Sequence, residues 1–230
     1  FELAMPLQRL PNWIQFGAFL LALNAGMVNV LGLFTVLHQS VSHMTGNVSM
    51  LAMSLLDWRP EHFIYLSLVI LCFVIGSFYS GLILGNGHVT FGRHYGVPLS
   101  LVAIFLLLTW LLLPFFPRYG LLWACVAMGM QNAMVSHYKG AIIRTTHLSG
   151  VLTDIGLTLG YKARGLKVEN RRISLHVLIF IGFLMGGLIA SLLYPYLKLQ
   201  TFLIPAGLSL AMSMTYWIVY FRSSSHPNLD

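Results

Sequence analysis

The chain has 230 residues, 57% of them hydrophobic and only 8% charged, with a formal net charge of +7 and a mean hydropathy of +0.79. Soluble domains carry roughly a quarter charged residues, so this composition excludes a soluble enzyme or soluble binding module. It also excludes a transmembrane barrel, whose ~10-residue alternating strands have no counterpart in these long apolar runs.

Taken in chain order, the apolar pattern predicts eight helical segments. Six are convincing spans, at 13–35, 62–86, 97–116, 119–138, 173–195 and 199–221, each near the ~20 residues that cross a bilayer. Two are short and weakly apolar, at 40–57 and 145–160. The expected fold is an all-α polytopic membrane protein forming a single membrane domain over residues 1–230, with six long transmembrane helices and two short, broken or half-helices. Between the sixth and seventh segments, Lys162, Arg164, Lys167, Arg171 and Arg172 form a basic segment. Cytoplasmic loops carry such an excess, and anionic lipid headgroups are its expected partner. Nucleic acid is not. Cys72 and Cys125 both fall in apolar spans, with no disulfide framework and no metal-ligand spacing.

The chain is written twice. His43-Met-Thr-Gly-Asn-Val-Ser returns as His147-Leu-Ser-Gly-Val-Leu-Thr, an offset of 147 − 43 = 104. Asn29 and Asn132 close the pieces Ala25-Gly-Met-Val-Asn and Met128-Gly-Met-Gln-Asn, 132 − 29 = 103 apart. Val74-Ile-Gly pairs with Phe180-Ile-Gly at 180 − 74 = 106, and Pro98 and Trp110 pair with Pro205 and Trp217 at 217 − 110 = 107. A two-fold internal repeat over 13–116 and 119–222 follows. Such repeats build many transporters, with the solute site at the repeat interface near mid-membrane.

Two arrangements fit this pattern. If the short segments cross the membrane, the halves run in the same direction. If they re-enter, the halves are inverted. With the N-terminus inside, crossing puts nine bases inside against four, and re-entry puts ten against three, so the charge count does not choose. The aromatic-plus-base pairs Trp58-Arg59 and Tyr161-Lys162 sit at near-equivalent places after the short helices and favour crossing.

Each short helix has a polar lead, Thr35 to Ser42 and Ser136 to Thr146. Thr45 and Ser149 are natural N-caps, and Gly46 and Gly150 allow close approach to the backbone. A helix start carries partial positive charge and unpaired N–H groups, so it suits an anion or a carbonyl oxygen. Two such starts meeting deep in the bilayer would make one site. Its candidate solute-binding residues are Asn29, His43, Thr45, Gly46, Asn47, Gln131, Asn132, His147, Ser149 and Gly150. Asp154 lies inside an apolar segment, and it, His43 and His147 are the candidates for proton or ion coupling. Asp154 could instead pair with Arg144 or Lys139. The histidines and asparagines could equally brace bent helices, and the Gly182/Gly186 pattern, echoed by Gly76 and Ser80, reads as helix packing.

The Gly-x-x-Asn, His-x-Thr-Gly-Asn, Gly-Met-Gln-Asn-Ala and Thr-His-x-Ser-Gly pieces resemble the YoaK-type bacterial membrane proteins, a domain of unknown function. The resemblance covers about residues 13–222 and implies a small bacterial inner-membrane protein. It implies no activity, substrate or catalytic residue.

The residues point to a membrane transporter of a small polar solute. Anionic or carboxylate-bearing solutes are favoured if Lys139 and Arg144 face a cavity, and proton coupling is an option. Alternatives are an uncoupled channel or facilitator, an intramembrane enzyme, and a scaffold subunit. No catalytic signature, cofactor or metal set is expected. A homodimer is compatible with so small a body. The N-terminus and the 161–173 loop are expected in the cytoplasm.

Overall fold

The computed structural model describes residues 12–35, 38, 40–56, 60–85, 95–136 and 145–224. These residues form α1 (Asn12–Phe34), α2 (Met44–Leu56), α3 (Pro60–Leu84), α4 (Gly96–Leu112), α5 (Pro117–Ser136), α6 (Leu148–Ala163), α7 (Asn170–Leu197) and α8 (Leu203–Ser224), with a 3-10 turn at Lys198–Phe202. No strand occurs among the described residues. Local chemistry sets several ends. Pro60 and Pro117 open α3 and α5, at the one helical position where a missing N–H has no cost. Gly85 and Gly165 take positive φ of 61° and 75° just past α3 and α6, the left-handed stop that glycine makes without strain.

Three helical stretches are long and apolar enough to cross a membrane: Trp13–Phe34, Pro60–Leu84, and Ile173–Arg222, which runs through α7, the turn and α8. Many large apolar side chains on them are exposed, among them Phe78, Leu82, Leu188, Leu192 and Phe221, as expected where lipid is the solvent.

Two apolar clusters mark the two ends of the bundle. One joins residues 25–31 of α1, Tyr65 and Val69 of α3, Val102 to Leu106 of α4 with Leu113 just past its end, Leu121 to Met130 of α5, Ala190 of α7, Phe202 and Ala206. The other joins Ile14 to Ala22 of α1, Leu84 of α3, Met134 and Val135 of α5, Leu175 and Ile179 of α7, with Tyr95 and Leu99 near the start of α4. So α1, α4 and α7 run one way, and α3, α5 and α8 run the other. Individual contacts agree. Phe19 meets Gly182 and Leu23 meets Gly186 in parallel order, and Phe34 stacks on Tyr194. Glu61 pairs with Arg118 while Gly76 meets Val126, also parallel. Ser100 meets Ser213 and Gly96 meets Trp217, which is antiparallel.

These directions fix the ends of the long helices that flank each short one. A crossing α2 would deliver α3 to the far end of the bundle, whereas α1 ends and α3 starts at the same end. Val41 in the first lead belongs to that end's cluster. Likewise α5 ends and α7 starts together at the other end, where Val151 of α6 is buried. Of the anchor pairs that favour crossing, Trp58-Arg59 lies outside the described residues, and Tyr161-Lys162 is the last turn of α6.

The long helices pack in pairs, α1 with α7 and α3 with α5, while α2 lies on α3 and α6 lies on α7. Glycine permits the close approach. A Cβ on Gly26 or Gly186 would sit 2.0 Å from the carbonyl oxygen of Phe183 or Leu23, and on Gly129 or Gly76 it would sit 2.0 Å from that of Phe73 or Val126. The small-residue pattern thus does the packing work expected of it.

Candidate functional site

Both short helices start from a lead clamped by an asparagine. Asn29 Oδ1 accepts from Ser40 Oγ at 2.6 Å, from Ser42 Oγ at 3.1 Å and from the Ser42 N–H at 3.2 Å. In the second half, Asn132 Oδ1 accepts from Thr146 Oγ1 at 2.7 Å. Ser42 and Thr146 each precede the motif histidine. Asn29 stands five residues before the end of α1 (34 − 29 = 5), about 7.5 Å inward at the helical rise. Asn132 stands four before the end of α5 (136 − 132 = 4). The clamps therefore tie each lead back to the helix before it.

The capping differs from expectation. Thr45 and Ser149 do not cap; they lie within the first turns. The cap position is the histidine. The His43 carbonyl accepts from the Asn47 N–H at 3.2 Å, and the His147 carbonyl from the Val151 N–H at 3.1 Å. His147 makes no side-chain cap bond. Thr45 and Ser149 instead supply the carbonyls that accept from Ser49 Oγ at 3.0 Å and Thr153 Oγ1 at 2.9 Å. The first-turn N–H groups are thus left without side-chain capping by the motif hydroxyls. His43, Thr45, His147 and Ser149 are exposed. The His43 ring lies back over Gly46, where a Cβ would come within 2.5 Å of Nδ1. His147 Nδ1 is 3.4 Å from Thr146 Oγ1.

Other candidates face inward. Gln131 is fully buried; its Oε1 accepts from Asn24 Nδ2 at 2.8 Å, and its Nε2 donates to the Leu21 carbonyl at 2.9 Å. This amide pair ties α1 to α5. Asn47 is also buried and donates to the Ser40 carbonyl at 2.9 Å, bracing the first lead. Gly150 is half-buried in the first turn of α6. The helices α2 and α6 make no contact with each other, so the two starts do not touch to form one closed site. Thr145, in the place Val41 holds in the first lead, is fully buried, and its hydroxyl has no hydrogen-bond partner among the described residues.

Asp154 meets a residue that the sequence did not single out. His176 Nε2 of α7 lies 3.5 Å from Asp154 Oδ2, with the histidine side chain 3% exposed and the aspartate 38%. Lys139 and Arg144, the partners considered from sequence, lie outside the described residues. The missed signal was available: His176 is an ionisable residue inside an apolar span, a rarity that calls for a partner. Among the described residues, no three metal-ligating side chains come together.

A sequence profile described as a protein of unknown function, DUF1275, matches residues 17–215. The chain belongs to this family. The match spans both halves, from α1 to α8, so the family is defined by the whole bundle. No curated protein and no solved structure matches the chain.

Proposed function

We propose that the chain transports a small polar solute across a bacterial inner membrane, through an inverted pair of half-helices descended from one duplicated unit. Six long helices would cross, and α2 and α6 would re-enter from opposite faces. What supports this reading is the matched clamp: two asparagines hold the leads of two short helices, each with a histidine at its cap position. Inward-pointing half-helix starts are how several transporter folds bind anionic groups near mid-membrane, through free N–H groups and the helix dipole.

The duplication draws support from contacts as well as letters. Residues of α1 and α5 correspond at 129 − 26 = 103, and those of α3 and α7 at 186 − 76 = 110, because Gly26–Phe183 and Gly186–Leu23 mirror Gly129–Phe73 and Gly76–Val126. The sequence match at 106 is therefore one helical turn out of register. An inverted pair with the N-terminus inside leaves only Arg59, Arg118 and Lys198 outside and makes the basic segment after α6 cytoplasmic.

A solute would contact His43, Thr45 and Gly46 at one start, and His147, Ser149 and Gly150 would form a second, separate half-site at the other. Asn29 and Asn132 hold the leads behind them. Anionic or carboxylate-bearing solutes fit best, since these ends offer N–H groups and imidazoles.

A thermal-shift screen of small carboxylates on purified protein identifies a solute by stabilisation, and its flux is then measured in liposomes. Gly46→Leu and Gly150→Leu, which fill the two starts, should each abolish flux in protein that still folds. Unchanged flux in both rejects the site.

A further inference from the structure

We propose that the turn joining α6 to α7 is a docking surface for the headgroups of anionic phospholipids, which hold that end of the bundle against a negatively charged leaflet. Docking of this kind needs only the membrane class of the chain, not the transport reading. Between positions 162 and 172 the sequence sets Lys162, Arg164, Lys167, Arg171 and Arg172 against one acid, Glu169, a net charge of 5 − 1 = +4. The join between α2 and α3, Asp57-Trp58-Arg59, balances one base with one acid. The excess therefore belongs to one turn and is not shared by its counterpart in the first half.

Three backbone bonds set the shape of this turn. The Arg164 N–H donates to the Gly160 carbonyl at 3.2 Å, the Gly165 N–H to that of Lys162 at 3.0 Å, and the Leu166 N–H to that of Tyr161 at 3.1 Å. With Gly165 at a φ of 75°, this is a closed helix end that satisfies the last carbonyls of α6. On the far side of the turn, Arg171 is tied to α1: the Gln15 side-chain oxygen accepts from its Nε at 3.1 Å and its Nη2 at 3.3 Å. Lys162, Arg164 and Lys167 are exposed, and none has a carboxylate within ion-pair reach among the described residues. Lys167 and Arg171, with Val168, Glu169 and Asn170, line an open concavity of about 440 Å³, wide enough for a headgroup phosphate.

Apolar neighbours point to lipid as the source of the phosphate. Tyr161 and Leu166, 43% and 51% exposed, stand among the bases, and a stretch long and apolar enough to cross a membrane begins at Ile173. A base so placed lies at headgroup depth, while the apolar side chains beside it reach the acyl boundary. Clusters of about four to eight bases beside a spanning helix are drawn to anionic lipid, and charge-assisted bonds to phosphate oxygens add to the pull. Nucleic acid offers the same charge but no apolar phase for Tyr161 and Leu166.

The full chain, purified in a neutral detergent, is melted with phosphatidylglycerol or phosphatidylcholine added at equal mole fraction. The melting temperature is expected to rise by about 2–4 °C more with phosphatidylglycerol, and the difference to shrink at high salt. The triple variant Lys162→Gln, Arg164→Gln and Lys167→Gln, confined to exposed side chains, should lose most of that difference, and Lys167→Gln alone should lose part of it. A second triple variant, Arg118→Gln, Lys198→Gln and Arg222→Gln, removes the same charge elsewhere and should keep it. Equal stabilisation by the two lipids overturns the docking surface. So does a difference that survives the first triple variant, or one lost equally in both. Inorganic phosphate alone reproducing the rise would assign the surface to a soluble anion, and a short RNA reproducing it would assign it to nucleic acid; either overturns lipid docking. None of these results bears on the glycine variants, whose flux tests the transport reading alone.

Discussion

α2 and α6 begin alike and then part. Each starts at a histidine whose carbonyl receives the first helical bond, behind a hydroxyl held by an asparagine. One turn in, Asn47 turns back to brace its own lead, whereas Val151 enters the apolar cluster. Two turns in, Met50 is exposed, whereas Asp154 engages His176. What the halves share is the geometry of a helix start. What they do not share is charge.

The body glycines set the scale for this contrast. Gly129→Ala would drive a Cβ into the Phe73 backbone at 2.0 Å, and backbone cannot yield, so we expect a loss of about 3 kcal/mol or more. Gly46→Ala meets only the His43 ring, which can rotate; it should cost about 1 kcal/mol while moving the histidine and lowering flux. Melting in detergent alongside flux separates the two. Equal destabilisation by both would mean that the motif glycine serves packing alone.

Asn29→Ala should follow, at about 2–3 kcal/mol, because it strands several donors in the first lead. Asn132→Ala should cost about 1–2 kcal/mol, since one hydroxyl loses its acceptor. The reverse order in melting temperatures would show that the second clamp carries more than the Thr146 bond. Asp154→Met, which puts at this position the residue found in the first half, should change the melting stability by about 1 kcal/mol or less, given the part-exposed aspartate. Arg118→Gln loses only an exposed pair at 3.5 Å and should shift stability by about 0.5 kcal/mol or less.

Much of the helical framework was legible in the chain. The ends of α1, α3 and α5 fall within two residues of the expected spans, because long apolar runs and opening prolines mark them. Capping was misjudged at Thr45 and Ser149. A hydroxyl before an apolar run signals a cap locally, but the lead is tied back by Asn29 and Asn132, and the helix therefore starts earlier, at the histidine. That Gln131 turns to Asn24 and Leu21, and Asn47 to Ser40, was not legible, because a polar residue in an apolar run gives no hint of which neighbour it faces. His176 was overlooked for the converse reason: its partner Asp154 is 22 residues away (176 − 154 = 22), on another helix.

Class, helix count and the doubled motif are properties of residue order, since burial in lipid demands apolar runs of set length and a repeated pattern survives in the letters. The direction of each long helix and the meeting of Asp154 with His176 belong to packing. They depend on which surfaces fit closely enough for glycine to face a carbonyl, and no local run of residues encodes the partner it will touch.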